Sequence, residues 1–394
     1  MNNDPVVIVS MARTPMGGFG GDFNTVAAPD LGAAAIRAAV QRSGINNEDV
    51  EEVYMGCVLP AGLGQAPARQ AALAAGLSLA TACTTLNKVC GSGMKAIMIA
   101  HDSLLAGNND IIVAGGMESM SNAPYLLSKH RGGQRIGHGE IKDSMFLDGL
   151  EDAYDKGKLM GAFAQQTAND YDFTREMQDD FAIESTKRAQ AAIANGNFED
   201  EIVPVTVKSR KGEVVISIDE QPGKARLDKI PTLRPAFAKD GTVTAANSSS
   251  ISDGAAAVVL MRQCEAEKRG LTPLARIVAH ATNANEPAKF TTAPVGALKN
   301  LLAKCNWTND DVDLFEINEA FALVTMAAMK ELDLDHAKVN VHGGACSLGH
   351  PLGVSGARIV ITLIAALRQR NLKRGVATLC IGGGEATALA VEII

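Results

Sequence analysis

The chain of 394 residues is 46% hydrophobic, only 4% aromatic, and carries a formal net charge of −7. That length predicts two or three domains around sizeable cores. The charge offers no general attraction to nucleic acid or an anionic membrane, and no apolar run approaches spanning length, so those function classes are set aside. Cys57, Cys83, Cys90, Cys264, Cys305, Cys346 and Cys380 form no C-x-x-C pair, and their number is odd. Neither a disulfide framework nor a zinc cluster is expected, which favours a reducing, cytoplasmic compartment and no metal.

Val6–Ser10 predicts the first strand, reached with no charged and apolar leader before it. A helix is expected from Pro29 in its first turn to a stop at Gly44. The Gly17–Gly21 run between them lacks dinucleotide-loop spacing and reads as a loop. Val53–Leu59 predicts a strand, and Ala66–Ala75 a short helix ended by Gly76. Thr84–Lys88 leads to Cys90 and a helix over about Gly91–Ala106, stopped by Gly107. Asp110–Ala114 predicts a strand breaking at Gly115-Gly116. Such alternation argues for a mainly parallel sheet covered by helices.

Between about Ser121 and Val243 the texture changes. Arg131–Gly139 has the composition of a loop, and a long helix is expected over Thr174–Asn195, capped by Thr174 and ended by Gly196. Lys208–Lys239 holds eight Lys/Arg against four Asp/Glu, a net of +4 in an acidic chain. It reads either as a solvated loop or as a landing site for the phosphates of a nucleotide-bearing substrate.

The carboxyl third repeats the first rhythm. Leu314–Ile317 predicts a strand, Ala320–Leu332 a helix and Lys338–Val341 a strand. A glycine-rich elbow follows, then a helix over about Val354–Gln369. Val376–Ile381 and Ala386–Ile393 predict strands around Gly382-Gly383-Gly384. Strand, elbow, helix, strand and double glycine thus occur twice, with Cys90 in the first elbow and His350 in the second. This predicts an internal duplication, chance recurrence in a Gly-rich chain being the alternative.

Chemistry gathers at those elbows. Cys90 precedes a helix whose amino end is expected to lower the thiol pKa, and its own N–H is a candidate oxyanion donor; the plain alternative is a core cysteine. His350 lies in a turn between Gly349 and Pro351, suited to taking a proton from Cys90. Asn318 either caps a helix or orients a water or thioester oxygen. Cys380, beside three glycines, suits proton removal next to a thioester carbonyl, with the Gly382 N–H near in sequence; a core cysteine ending a buried strand is the alternative.

Four blocks then carry a resemblance: Asn87-Lys-Val-Cys90-Gly-Ser-Gly, Asn318-Glu-Ala-Phe321, Gly343–Arg358 around His350, and Cys380-Ile-Gly-Gly-Gly384. In this order, over essentially the whole chain, they resemble the active-site blocks of the thiolases. The resemblance implies a five-layered α-β-α-β-α fold from two duplicated α/β halves. These would comprise residues 1–120 plus 244–271, and residues 272–394. An inserted loop domain, 121–243, would bind coenzyme A and make tetramer contacts. It also implies that Cys90 is the acylated nucleophile, His350 its base and Cys380 the acid/base at the α-carbon. Asn318 would hold a water that forms one oxyanion hole with His350, and the N–H groups of Cys90 and Gly382 would form the other. Coenzyme A contacts would fall on Leu150, Met160, Phe237, Ala245, Ser249, Ala320 and Phe321.

The chain departs from the family in places. Leu159-Met160 stands where short-chain biosynthetic members show His-Met. An arginine that meets the coenzyme falls on Pro222, so Lys224 or Arg226 is expected to substitute. The implied reaction joins two acetyl-CoA into acetoacetyl-CoA and free CoA, with no metal or bound redox cofactor, in a homotetramer. Phe290, expected near the acyl pocket, favours acetyl transfer over a degradative 3-ketoacyl-CoA thiolase. A decarboxylating condensing enzyme would use His or Asn partners in place of Cys380, and a silent acyl-CoA carrier would lack the intact four-residue set.

Overall fold

The computed structural model describes residues 4–209 and 212–394. In the first part of the chain, β1 (Val6–Arg13), β2 (Glu52–Gly56), β3 (Ala82–Leu86) and β4 (Ile111–Ser119) alternate with α1 (Ala28–Ser43), α2 (Pro67–Ala75) and α3 (Ser92–Leu105). The insertion carries α4 (Met160–Asp170) and α5 (Arg175–Ala194). Two long strands follow, β5 (Ser252–Arg262) and β6 (Ala275–Ala284). The last part runs α6 (Ala293–Cys305), β7 (Leu314–Ile317), α7 (Ala322–Leu332), α8 (Ser355–Gln369), β8 (Arg374–Ile381) and β9 (Glu385–Ile393). Helix ends obey local chemistry: Gly44 closes α1 at φ 77°, and the Thr174 hydroxyl accepts the Met177 N–H at the start of α5, as expected.

The strands form one sheet in the order β7-β8-β9-β6-β1-β5-β4-β2-β3. Pairs β7/β8, β2/β3 and β2/β4 are parallel; the others along the path are antiparallel. The expectation of a mainly parallel sheet is therefore corrected. Each half holds a parallel trio flanked by two antiparallel strands, because β8 turns directly into β9 and only antiparallel strands accept so short a connection. Among the described residues, only Val7–Arg276 and Ile8–Ala275 pair across the seam between halves.

Order and direction repeat. In the first half β3, β2, β4, β5 and β1 lie side by side; in the second a single parallel bridge at Val339, then β7, β8, β9 and β6, do the same. Helices α3 and α8 touch each other and strands of both halves. They fill the middle of an α-β-α-β-α stack, with α1 and α2 outside one half and α6 outside the other. Helix α8 is buried all round from Ser355 to Leu367, as a helix packed between the two halves of the sheet must be.

Two further expectations need correction, each for a physical reason. Strand β4 runs through Gly115-Gly116 instead of breaking there. A Cβ at Gly115 would lie 1.9 Å from the Ala256 carbonyl, and one at Gly116 1.9 Å from that of Gly353; these glycines admit close neighbours and do not end the strand. The strand expected over Lys338–Val341 shrinks to the Val339 bridge with Phe315. Asn340 turns left-handed at φ 48°, and its side chain takes over the pairing, accepting from Ile317 N and donating to Ile317 O, both at 2.8 Å.

The insertion is less densely packed. Its apolar side chains include Ile136, 97% exposed, and Ile141, 68% exposed. Within the basic stretch, Lys208 faces Glu213, Lys224 pairs with Glu220, and Arg226 and Lys229 flank Asp228; Arg210 and Lys211 lie outside the described residues. Among the described residues no helix is long and apolar enough to cross a membrane.

Candidate active site

Close helix packing brings the two elbows together. A Cβ at Gly356 would lie 2.4 Å from Met94 N, and one at Gly93 2.9 Å from Ala357 N. Glycine at both positions lets the amino ends of α3 and α8 touch, which sets the loops before them face to face. Glu118 ties the arrangement from below, accepting the N–H groups of Val58 at 2.9 Å, Leu59 at 3.1 Å and Gly353 at 2.8 Å. Burial lifts its pKa to about 7.

The Cys90 loop is strained. Val89, a β-branched residue, sits at φ 45°, a left-handed conformation that costs about 1–3 kcal/mol. Neighbours hold it there: Ser92 Oγ donates to Val89 O at 2.7 Å and accepts Lys88 N–H at 2.8 Å, while Asn87 Oδ1 accepts Val89 N–H at 2.8 Å. Lys88 also pairs with Glu385, just past the triple glycine, so the Cys90 loop and the β8–β9 turn are tied together.

Cys90 is buried, and desolvation pushes its pKa up to about 11 against the downward pull of the N–H groups of Gly382 and of Cys90 itself. The expected lowering by the helix end is corrected: burial outweighs it. The same two N–H groups converge on the sulfur, which is what an oxyanion hole at this atom requires. Cys380 ends β8 fully buried, and burial followed by the nearness of Cys90 raises its pKa well above the ordinary range. Both thiols are therefore protonated at neutral pH.

His350 faces the same cavity as the two thiols. Burial, then the Arg358 charge, lowers its pKa to about 3, so the ring is neutral. Nδ1 lies 2.5 Å from Ser355 Oγ, whose hydroxyl donates to Pro351 O at 3.1 Å. With its proton so committed, Ser355 accepts from Nδ1–H, leaving the lone pair on Nε2. That buried Nε2 has no hydrogen-bond partner among the described residues, and neither has Asn318 Nδ2. Asn318 is not the cap of α7, which falls on Phe321. Instead its Oδ1 faces Arg358 Nη2 at 3.5 Å, and Arg358 is held 3.4 Å from Glu316.

A cavity of about 390 Å³ joins these groups, lined by Cys90, His350, Cys380 and Gly382 at its reactive end. Leu150, Met160, Phe237, Ala245, Ser249, Ala320 and Phe321, the residues expected to meet coenzyme A, all line it, as does Leu159. Phe290 is a lining residue too, with its ring 6.4 Å from that of Phe321, which in turn meets Phe237 at 6.1 Å. Asn318, Lys224 and Arg226 are outside the lining. Lys224 is engaged by Glu220, which also accepts the N–H groups of Gly18 and Asp22, while Arg226 is exposed beside Asp228 at 3.5 Å. Pro222 is buried and its carbonyl accepts from Gln190.

Ser355, Arg358 and Glu316 are the site residues that motif reading passed over. The signal was present in spacing: Ser355 lies five residues, and Arg358 eight, beyond His350, on the helix its loop enters.

A buried thiol facing two backbone N–H groups, a neutral imidazole and a second thiol thus share one apolar cavity, a set of groups suited to acyl transfer through a thiol. The chain matches the thiolase N-terminal domain over residues 6–264 and the thiolase C-terminal domain over residues 271–393. It is 50% identical to the acetyl-CoA acetyltransferase of Cupriavidus necator, over 98% of this chain and 99% of that one. It is also 50% identical to acetyl-CoA acetyltransferase 2 of Arabidopsis thaliana, over 100% and 98% of the two chains. Among solved structures, the Bacillus anthracis acetyl-CoA acetyltransferase superposes with a TM-score of 0.97 at 43% identity, covering 99% of each chain. An Ascaris suum thiolase in complex with coenzyme A superposes at 0.93, also at 43% identity, over 99% of this chain and 100% of that one. The chain belongs to the thiolase family.

Proposed function

We propose that this protein is an acetyl-CoA C-acetyltransferase that condenses two acetyl-CoA into acetoacetyl-CoA and CoA, and runs the reverse thiolysis. The observation that carries the proposal is the meeting of Cys90, His350 and Cys380 in one cavity whose walls include Phe290 and Phe321. The relatives' names point the same way.

The protonation states suggest the order of events. His350 Nε2 takes the Cys90 proton as the sulfur attacks the acetyl carbonyl. The oxyanion is held by the N–H groups of Cys90 and Gly382, and the departing CoA sulfur takes its proton from Cys380. Cys380, now a thiolate, removes an α-proton from the second acetyl-CoA. The enolate oxygen is held by the protonated Nε2 of His350 and by a water on Asn318. The carbanion attacks acetyl-Cys90, and the freed Cys90 sulfur recovers its proton from His350. Every proton borrowed is returned, and no redox cofactor enters. Taking the first proton turns Nε2 from acceptor into donor, so one ring serves both steps.

Residues 121–243 would form the coenzyme A-binding loop domain between the halves 1–120 plus 244–271 and 272–394. Arg226, exposed and loosely paired, is better placed than Lys224 to meet phosphates, since Lys224 is engaged. Exposed Ile136 and Ile141 favour tetramer contacts from the same domain, and a cytoplasmic location fits seven free thiols. The competing reading is a 3-ketoacyl-CoA thiolase of longer chains. Thiolysis rates on acetoacetyl-, 3-ketohexanoyl- and 3-ketodecanoyl-CoA decide between them. Activity confined to the shortest is expected, a rate that holds or rises with length assigns the degradative role, and no rate on any revives a silent carrier.

A further inference from the structure

At the end of α3 remote from Cys90, its last turns carry His101 and Asp102, and β6 presents His280 beside them. Asp102 Oδ1 lies 3.2 Å from His101 Nδ1 and 2.9 Å from His280 Nε2. The two rings meet edge to face with centroids 5.1 Å apart, and one ligand atom from each of the three residues lies within 4.8 Å of the others. Around zinc, with bonds of about 2.0–2.1 Å, tetrahedral ligand atoms stand about 3.3 Å apart. The carboxylate oxygen already stands near that distance from both nitrogens, so any remaining closure falls between the two rings, whose ligand atoms are within 4.8 Å.

We propose that His101, Asp102 and His280 form a site for a divalent transition metal, with zinc the best match, clamping α3 of the first half to β6 of the second. Two imidazoles and one carboxylate suit zinc and its neighbours; magnesium and calcium prefer all-oxygen sets. The Asp102 side chain is 58% exposed, against 11% for His101 and 16% for His280, so the site is walled on two sides and open on the third. Metal can enter there, and water can complete the coordination. Asp102 and His280 are 178 residues apart, which is why the expectation of no metal, drawn from cysteine spacing, could not see them. Some eleven residues of helix, about 16 Å, separate His101 from Cys90, so occupancy should leave catalysis alone. Because the unfolded chain does not hold these three groups together, metal should stabilise the folded one.

The test uses full-length, chelator-treated protein titrated with Co²⁺ as a visible probe and then with Zn²⁺. Cobalt should give d–d absorption saturating at one equivalent, without a thiolate charge-transfer band, and zinc should displace it. Zinc should raise the melting temperature by about 3 °C. His280→Gln and, independently, Asp102→Asn should abolish both effects while acetoacetyl-CoA thiolysis stays at the wild-type rate. Three results overturn the proposal. They are a charge-transfer band, which puts the metal on cysteine, binding unchanged in both variants, and no saturable binding, which leaves only a hydrogen-bonded triad.

Discussion

Burial opposes ionisation of the Cys90 and Cys380 thiols and keeps the His350 imidazole neutral, the resting state the proposed mechanism starts from. Cys90 is raised to about 11 and His350 lowered to about 3, so at pH 7 the pair rests as thiol and imidazole and is charged only during reaction. Removing the base should make acylation depend on spontaneous ionisation of Cys90. His350→Ala should therefore slow acetylation of Cys90 by about 10²–10⁴-fold at pH 7. The residual rate should climb about tenfold per pH unit toward pH 11, where wild type is flat. Acetylation followed by mass spectrometry across pH 7–10 measures this, and a pH-independent deficit would remove His350 from the proton path. Cys380→Ser keeps the first half-reaction's nucleophile and base but loses the thiol that protonates departing CoA, which solvent can replace, and the α-carbon base, which it cannot. It should acetylate at Cys90 stoichiometrically and condense at least about 10²-fold more slowly, as acetoacetyl-CoA formation would show; normal condensation would refute the assignment.

Between elements, the contact that matters most is the crossing of α3 and α8. Gly356→Ala places a methyl 2.4 Å from Met94 N, backbone that cannot turn aside. The variant should lose about 1–3 kcal/mol of stability, and its acetylation rate should fall further than the loss of folded protein explains, because the elbows separate. Urea unfolding with matched kinetics tests this, and wild-type kinetics in a destabilised variant would uncouple the crossing from the site. Helices α1, α2 and α5 were legible in the sequence, since Gly44, Gly76 and Thr174 mark their ends by local chemistry. Glycines inside β4 were not: a glycine that ends a strand and one that admits a neighbour look alike until the neighbour is known. Strand β5 carries no alternation that would mark it, being buried along nearly its whole length. Lys338–Val341 has strand composition, yet the Asn340 side chain replaces the backbone ladder. Reactive residues stood out through motif and resemblance, whereas Arg358, which holds Asn318 from behind, acts only through distance.

Over the whole molecule, buried titratable groups shape stability from both sides of neutrality. His350 and His342 fall from 6.5 to about 3 and about 4. Below pH 6.5 the unfolded chain therefore binds protons the folded one refuses, and these groups cost stability as pH falls. Glu118 and Glu316 rise from 4.5 to about 7 and about 8. Above pH 4.5 the unfolded chain releases protons the folded one keeps, and these groups cost stability as pH rises toward 8. The two trends oppose each other between pH 4.5 and 6.5, where the melting temperature should be highest. Melts at half-unit steps from pH 4 to 9 test this, and a temperature that keeps climbing from pH 6.5 to 8 would contradict it.

The matching strand orders of the two halves bear on ancestry. A symmetric pair of first halves would confront one Cys90 elbow with another and present two thiols; a symmetric pair of second halves would present two imidazoles. The second pair would also carry two Cys380 thiols, yet neither homodimer sets a Cys90 thiol before a His350 imidazole. The division of labour between the elbows thus required two copies free to diverge, and joining them in one chain secures a one-to-one ratio that separate subunits would have to find by recognition.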